Sequence, residues 1–171
     1  LSNLSSLVSS DTVFLSGILD VKARVDELDQ PLPAFAGDAT ISGLMVENKP
    51  IGDIVMNAAK TDSNSIAANA RLTGNGNDLL LKGKYYLSDT LKQFDANLDI
   101  KQLNVKTIEA LSDGMLTNSS GNLHGSADLY GRFDDPRWKG KLVFDTTQFT
   151  VAQLGSPYRI DNQSISFEYP K

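Results

Sequence analysis

Cysteine is absent from this 171-residue chain. Its absence removes disulfide frameworks and thiolate metal sites, and says little about compartment. Histidine occurs once, as His124, so zinc sites built on several imidazoles, and Ser-His-Asp hydrolysis with a spare base, are largely excluded. No apolar run approaches the roughly 18 residues that cross a bilayer as a helix; the most apparent is only Leu79-Leu80-Leu81. Positive charge is scarce. The formal net charge is −5 and no Lys/Arg cluster offsets it, which disfavours nucleic acid as a partner. The signatures G-x-S-x-G, G-x-x-x-x-G-K-[ST] and a strand-borne G-x-G-x-x-G are all missing. Nothing here argues for an enzyme or a cofactor. No initiator Met or signal-like segment leads the chain, which opens mid-pattern at Leu1 and stops just after a strand-like Ser164–Tyr169. The expectation is a segment of a larger protein.

What is present is repetition. Leu15-Ser-Gly17-Ile-Leu19-Asp-Val21 is followed by Pro33-Ala-Phe-Ala-Gly37-Asp-Ala39-Thr-Ile41. Later, Ser119-Ser-Gly121-Asn-Leu123-His-Gly125 is followed by Pro136-Arg-Trp-Lys-Gly140-Lys-Leu142-Val-Phe144. Two related phrases, over about 15–59 and 119–169, therefore sit in one β-rich unit covering 1–171.

Alternation of period two dominates. Leu19, Val21, Ala23 and Val25 interleave with Asp20, Lys22, Arg24 and Asp26; Ile66, Ala68, Ala70 and Leu72 with Ala67, Asn69, Arg71 and Thr73; Phe94, Ala96, Leu98 and Ile100 with Asp95, Asn97, Asp99 and Lys101. Further strands are expected at 39–46, 52–59, 79–86, 122–132, 139–145, 147–153 and 163–169, each apolar on one face. Turns are expected at Gly74-Asn-Gly76-Asn77-Asp78, Asn48-Lys-Pro50, Gly155-Ser-Pro157 and Asp134-Asp-Pro136, where Gly, Asn and Pro meet the backbone demands of tight bends. The spacing of Val105, Ile108 and Leu111 behind Asn104 predicts one short helix near 104–112, and Leu1 to Val8 offers a weaker second one. The predicted fold is all-β, a long curved sheet with an apolar concave face; a closed β-sandwich is the alternative. Either way the apolar face has to be covered.

Polar candidates have plainer readings. Thr73–Leu80 nearly fits a calcium-binding nonapeptide, but such sites need stacked copies and a hairpin turn accounts for it. His124 falls on the polar register with no orienting partner in evident spacing, and Asp134-Asp135 belongs to a turn. Asn3, Asn118 and Asn162 head glycosylation sequons that are short and common by chance. The apolar register is the stronger candidate: Leu19, Val21, Ile41, Met56, Ile66, Leu72, Leu81, Phe94, Leu98, Ile100, Leu123, Leu129, Trp138, Leu142, Phe144, Ile165 and Phe167. These residues are either an ordinary core or a lipid-lined groove; each buried CH₂ contributes about 0.8 kcal/mol in either setting.

The phrases Gly121-x-Leu123-x-Gly125, Leu129-x-Gly131, Pro136-x-x-x-Gly140-x-Leu142, Gly155-x-Pro157-Tyr158 and Ile165-x-Phe167 resemble the C-terminal region of the TamB family, within the AsmA-like group of envelope proteins of diderm bacteria. Asn48-Lys-Pro50-Ile51-Gly52-Asp53-Ile54 and Asn77-Asp78-Leu79-x-Leu81-x-Gly83-x-Tyr85 carry the same resemblance. It implies a "β-taco" with a hydrophobic concave face, in a protein anchored in the inner membrane and crossing the periplasm to an outer-membrane barrel of the BamA/TamA type. It also implies phospholipid transport, binding acyl chains without catalytic residues. A strongly amphipathic terminal strand ending in an aromatic is not evident, which puts partner contact outside this segment. Two other readings stand beside the conduit: a scaffold for outer-membrane strands through sheet-edge pairing, and a closed-sandwich adhesin with a dry core.

Overall fold

In a computed structural model, residues 14–27, 33–87 and 93–169 are described. Alternating sequence becomes strand almost throughout: β1 (Leu15–Asp26), β2 (Ala34–Val46), β3 (Lys49–Asp62), β4 (Ser65–Gly74), β5 (Asn77–Tyr86), β6 (Gln93–Asn104), β7 (Leu116–Arg132), β8 (Asp135–Val151), β9 (Ser156–Ile160) and β10 (Gln163–Tyr169). One helix, α1 (Val105–Leu111), lies between β6 and β7. All ten strands belong to one antiparallel sheet, ordered β1-β2-β3-β4-β5-β6-β7-β8-β10, with β9 also paired to β8. β10 runs beside residues 138–144 of β8, and β9 beside residues 147–151.

The sheet is open, neither closed nor strongly curled. The closed sandwich is thereby corrected: all ten strands pair within one sheet, so none among the described residues is left over to build a second layer. The trough is shallower than the folded-over sheet that the resemblance implies. Strands predicted at 139–145 and 147–153 are one strand, since Thr146 (φ 36°) makes an irregularity inside β8 and not a turn. β9 was not anticipated. The weaker helix at Leu1 to Val8 lies outside the described residues.

Turn chemistry follows the residues. Glu47 and Asn48 both take positive φ (48° and 63°) between β2 and β3, as a two-residue hairpin turn of this hand requires. Asn75 and Gly76 (51° and 82°) do the same between β4 and β5. The two repeated phrases form hairpins of equivalent register: Ala23 lies opposite Gly37 as Ala127 lies opposite Gly140, and Leu19 opposite Ile41 as Leu123 opposite Phe144.

α1 starts where Asn104 Oδ1 accepts the Lys106 N–H at 3.0 Å, satisfying one of the donors a helix start leaves unpaired. It packs against β7, β3 and β6. Beneath it lies the only cluster of fully buried apolar residues among those described: Val46, Ile51 and Ala110, flanked by Leu15, Leu44 and Leu72.

Candidate functional site

Register fixes the site. Because side chains alternate across a strand, residues opposite one another share a face. One row of partners runs Leu19, Ile41, Ile54, Leu72, Leu79, Ile100, Gly125, Leu142 and Ile165. The next runs Val21, Ala39, Met56, Ala70, Leu81, Leu98, Ala127, Gly140 and Phe167. A third runs Ala23, Gly37, Ala58, Ala68, Gly83, Ala96, Leu129, Trp138 and Tyr169. Ile66, Tyr85 and Phe94 lie opposite one another beyond the third, and Leu123 lies opposite Phe144 beyond the first. All seventeen apolar residues singled out from the sequence thus share one face across nine strands.

That face has no second layer among the described residues. Of the seventeen, only Ile100 and Leu123 are fully buried (6% and 2% exposed), while Val21, Ile165, Leu81 and Trp138 remain 59%, 50%, 37% and 37% exposed. The third row is small for six strands and then rises at Leu129, Trp138 and Tyr169. Above its small part lies an apolar hollow of ≈ 550 Å³, bordered by Val21, Val25, Phe35, Met56, Ala68 and Leu81 among others. Walls of the trough differ in kind. α1 closes one rim. At the other, Phe133 stacks on Phe94 (centroids 4.9 Å) and leans on Tyr85 (5.3 Å). Near the β10 edge Trp138 stacks on Tyr169 at 4.6 Å.

The opposite face is polar in the same orderly way. Lys22, Asp38, Asn57, Asn69, Lys82, Asn97, Asp128, Lys139 and Glu168 form one row of partners, tied in places by Asn69 to Asn57 and Asn97 to Asp128 (both 2.9 Å). A hollow of ≈ 620 Å³ on this face mixes Lys82, Lys84 and Lys139 with Asp95 and Asp128; its charges of both signs select no ligand. His124 does have a partner, which the sequence did not disclose: Nδ1 lies 3.0 Å from Asp145 Oδ2, with both side chains about half exposed.

Ion pairs hold the rims. Burial works against the charge of Glu109, but the Lys49 ammonium at 2.9 Å and the Ser119 N–H at 2.7 Å outweigh it and hold the carboxyl below the usual glutamate range. The Arg132 guanidinium donates twice to Asp134 (both 2.8 Å) at the β7–β8 turn, lowering that carboxyl and raising its own affinity for the proton. The Ser65 hydroxyl, with the Asn64 N–H, likewise lowers Asp62. Among the described residues no group of three or more His, Asp or Glu stands placed to hold a metal, and no helix is long and apolar enough to cross a membrane.

No protein-family model, curated protein or solved structure matches the chain.

Proposed function

We propose that this chain is a non-enzymatic, lipid-carrying segment of a larger periplasmic protein. Phospholipid acyl chains lie along the apolar trough, and headgroups stay at its rims in water. The observation that carries this reading is the uninterrupted apolar face, nine strands wide, left half-exposed by a single-layer sheet. Monomeric soluble proteins rarely leave a patch of that extent bare. The row of Ala and Gly from Ala23 to Ala96 gives the trough a low floor, which suits a thin, flexible hydrocarbon chain better than a protein side chain of fixed shape. Resemblance to the TamB family supports the wider setting: an inner-membrane anchor, movement of phospholipid toward the outer membrane of a diderm bacterium, and contact with a BamA/TamA-type barrel through the full-length protein.

The test is purification from the periplasm without detergent, followed by organic extraction and mass spectrometry. Stoichiometric phospholipid is expected, and a folded Leu98→Asp variant should lose it. Lipid-free wild-type protein would end the conduit reading.

A second reading is favoured by one feature. β1 offers twelve residues of strand with a single described neighbour, an edge on which an extended outer-membrane strand can add. In a scaffold of that kind, prolines at β1 positions whose N–H groups face away from β2 abolish client binding while Leu98→Asp leaves it intact.

A further inference from the structure

The low floor of the trough has an end. Ala23, Gly37, Ala58, Ala68, Gly83 and Ala96 lie side by side in one row across β1 to β6. Bulkier residues of the same face flank it, Met56, Leu81 and Leu98 on one side and Ile66, Tyr85 and Phe94 on the other. Where Ala39 and Ala70 notch the first wall, Ile41 and Leu72 stand behind them; Lys60 interrupts the second wall on β3. The row is thus a furrow one side chain wide. The apolar hollow of ≈ 550 Å³ sits on its first five strands and stops at Leu81 and Gly83.

At β7 the furrow closes. Leu129 lies opposite Ala96, and Trp138, stacked on Tyr169 at 4.6 Å, lies opposite Leu129. On β7 and β8 the small residues move one place along the face, to Ala127 and Gly140. That sidestep is already filled: a Cβ on Gly140 would lie 2.7 Å from the Phe167 ring, and Ala127 is only 9% exposed. The opposite sidestep, Gly131 beside Phe94, is bordered by Phe133, which folds back onto Phe94 with centroids 4.9 Å apart. A chain lying in the furrow therefore runs into Leu129, with no low path round it among the described residues.

We infer that Leu129 sets the length of acyl chain that this segment seats. The inference rests on the lipid reading and narrows its ligand to one extended chain, lying across the strands. Its polar end leaves at β1, where the row has no further described strand. Five strand spacings of about 4.8 Å make the floor about 24 Å long. Carbon–carbon bonds of about 1.5 Å at tetrahedral angles advance a chain by about 1.25 Å each, so about 18 carbons fill it. A lipid passing along the trough seats one chain here and has to lift it over Leu129 to move on.

The test is competition against a fluorescent fatty acid on the whole chain, with saturated fatty acids of roughly 12 to 24 carbons delivered from cyclodextrin. In wild type each added CH₂ should tighten binding about twofold, because the floor covers one side of it, and the gain should stop near about 18 carbons. Leu129→Ala extends the floor by one strand, about 4.8 Å or about four carbons, and should move the limit to about 22. Ala96→Leu brings the barrier one strand nearer β1 and should move it to about 14. A merely structural effect would weaken all lengths alike and move neither limit. A limit unchanged in both folded variants, or a wild-type gain that never stops, overturns this inference and leaves the lipid reading standing. Wild-type protein that binds no fatty acid of any length removes both.

Discussion

Asn77 and Thr107, thirty residues apart and both 5% exposed, are joined by a hydrogen bond of 2.8 Å from the Asn77 amide to Thr107 Oγ1. The same amide donates to the Ile51 carbonyl at 2.8 Å, and Asn77 Oδ1 accepts the Asn104 N–H at 2.9 Å. One side chain at the start of β5 therefore fastens α1 to β3 and β6. Replacing it strands several buried polar groups at once, at about 1–3 kcal/mol for each left unsatisfied. Asn77→Ala should lower stability by about 3 kcal/mol in urea titrations, with the slope unchanged. A loss below about 1 kcal/mol would mean that apolar packing of Val105 and Ala110 holds the helix by itself.

Glu109 makes stability depend on acid. Its folded pKa is depressed below the ordinary 4.5, so its contribution is complete above that value and is lost as the pH falls through the folded-state pKa. Thermal melts of wild type and Glu109→Gln should differ most at neutral pH and converge in acid below 4.5. A constant gap down to the lowest pH would detach the effect from this carboxylate.

An uncovered face should respond weakly to truncation. Leu81 is 37% exposed and Leu123 is 2% exposed. Leu81→Ala should cost about 1 kcal/mol and Leu123→Ala about 3 kcal/mol or more, since only the second opens a cavity. Equal costs, by chemical denaturation, would show that something covers Leu81.

The β7–β8 pairing depends on a missing side chain. A Cβ at Gly140 would meet the Ser126 carbonyl and lie 2.7 Å from the Phe167 ring and 2.9 Å from Ala127 Cα. Gly140→Val should force β8 away from the β7 backbone, costing about 1–3 kcal/mol, with amide exchange rising first around Ser126 and Ala127. Protection unchanged there would mean that β7 shifts to admit the side chain without loss of pairing.

The strand faces and the helix were readable from the chain because both are local. Period-two alternation assigned Leu98 and Val21 to the apolar side, and Asn104 marked the start of α1 through its own cap. Neighbour relations were not readable. Alternation says which way Leu81 points, and nothing about Leu98 lying opposite it, which is a matter of the register between β5 and β6. Local breaks also misled. Thr146 interrupts the alternation as a turn would, yet β8 continues through it, and the short β9 hides behind Gly155 and Pro157. His124 meets Asp145 only because β7 and β8 bring residues 21 apart side by side. Whether the sheet closes on itself is fixed by accumulated twist and bulges, which no window of sequence displays.

Sequential pairing, each strand from β2 to β9 beside the one before it, makes this architecture extensible. A strand asks for a neighbour and nothing more distant, so a hairpin inserted between two existing strands lengthens the trough without disturbing any residue already in it. The insertion must add an even number of strands, or every later strand would run backwards and present the wrong register to its partner. Growth by whole hairpins satisfies this automatically. The equivalent pairings Ala23 with Gly37 and Ala127 with Gly140 fit such growth, in which each added hairpin lengthens the apolar groove at the same step.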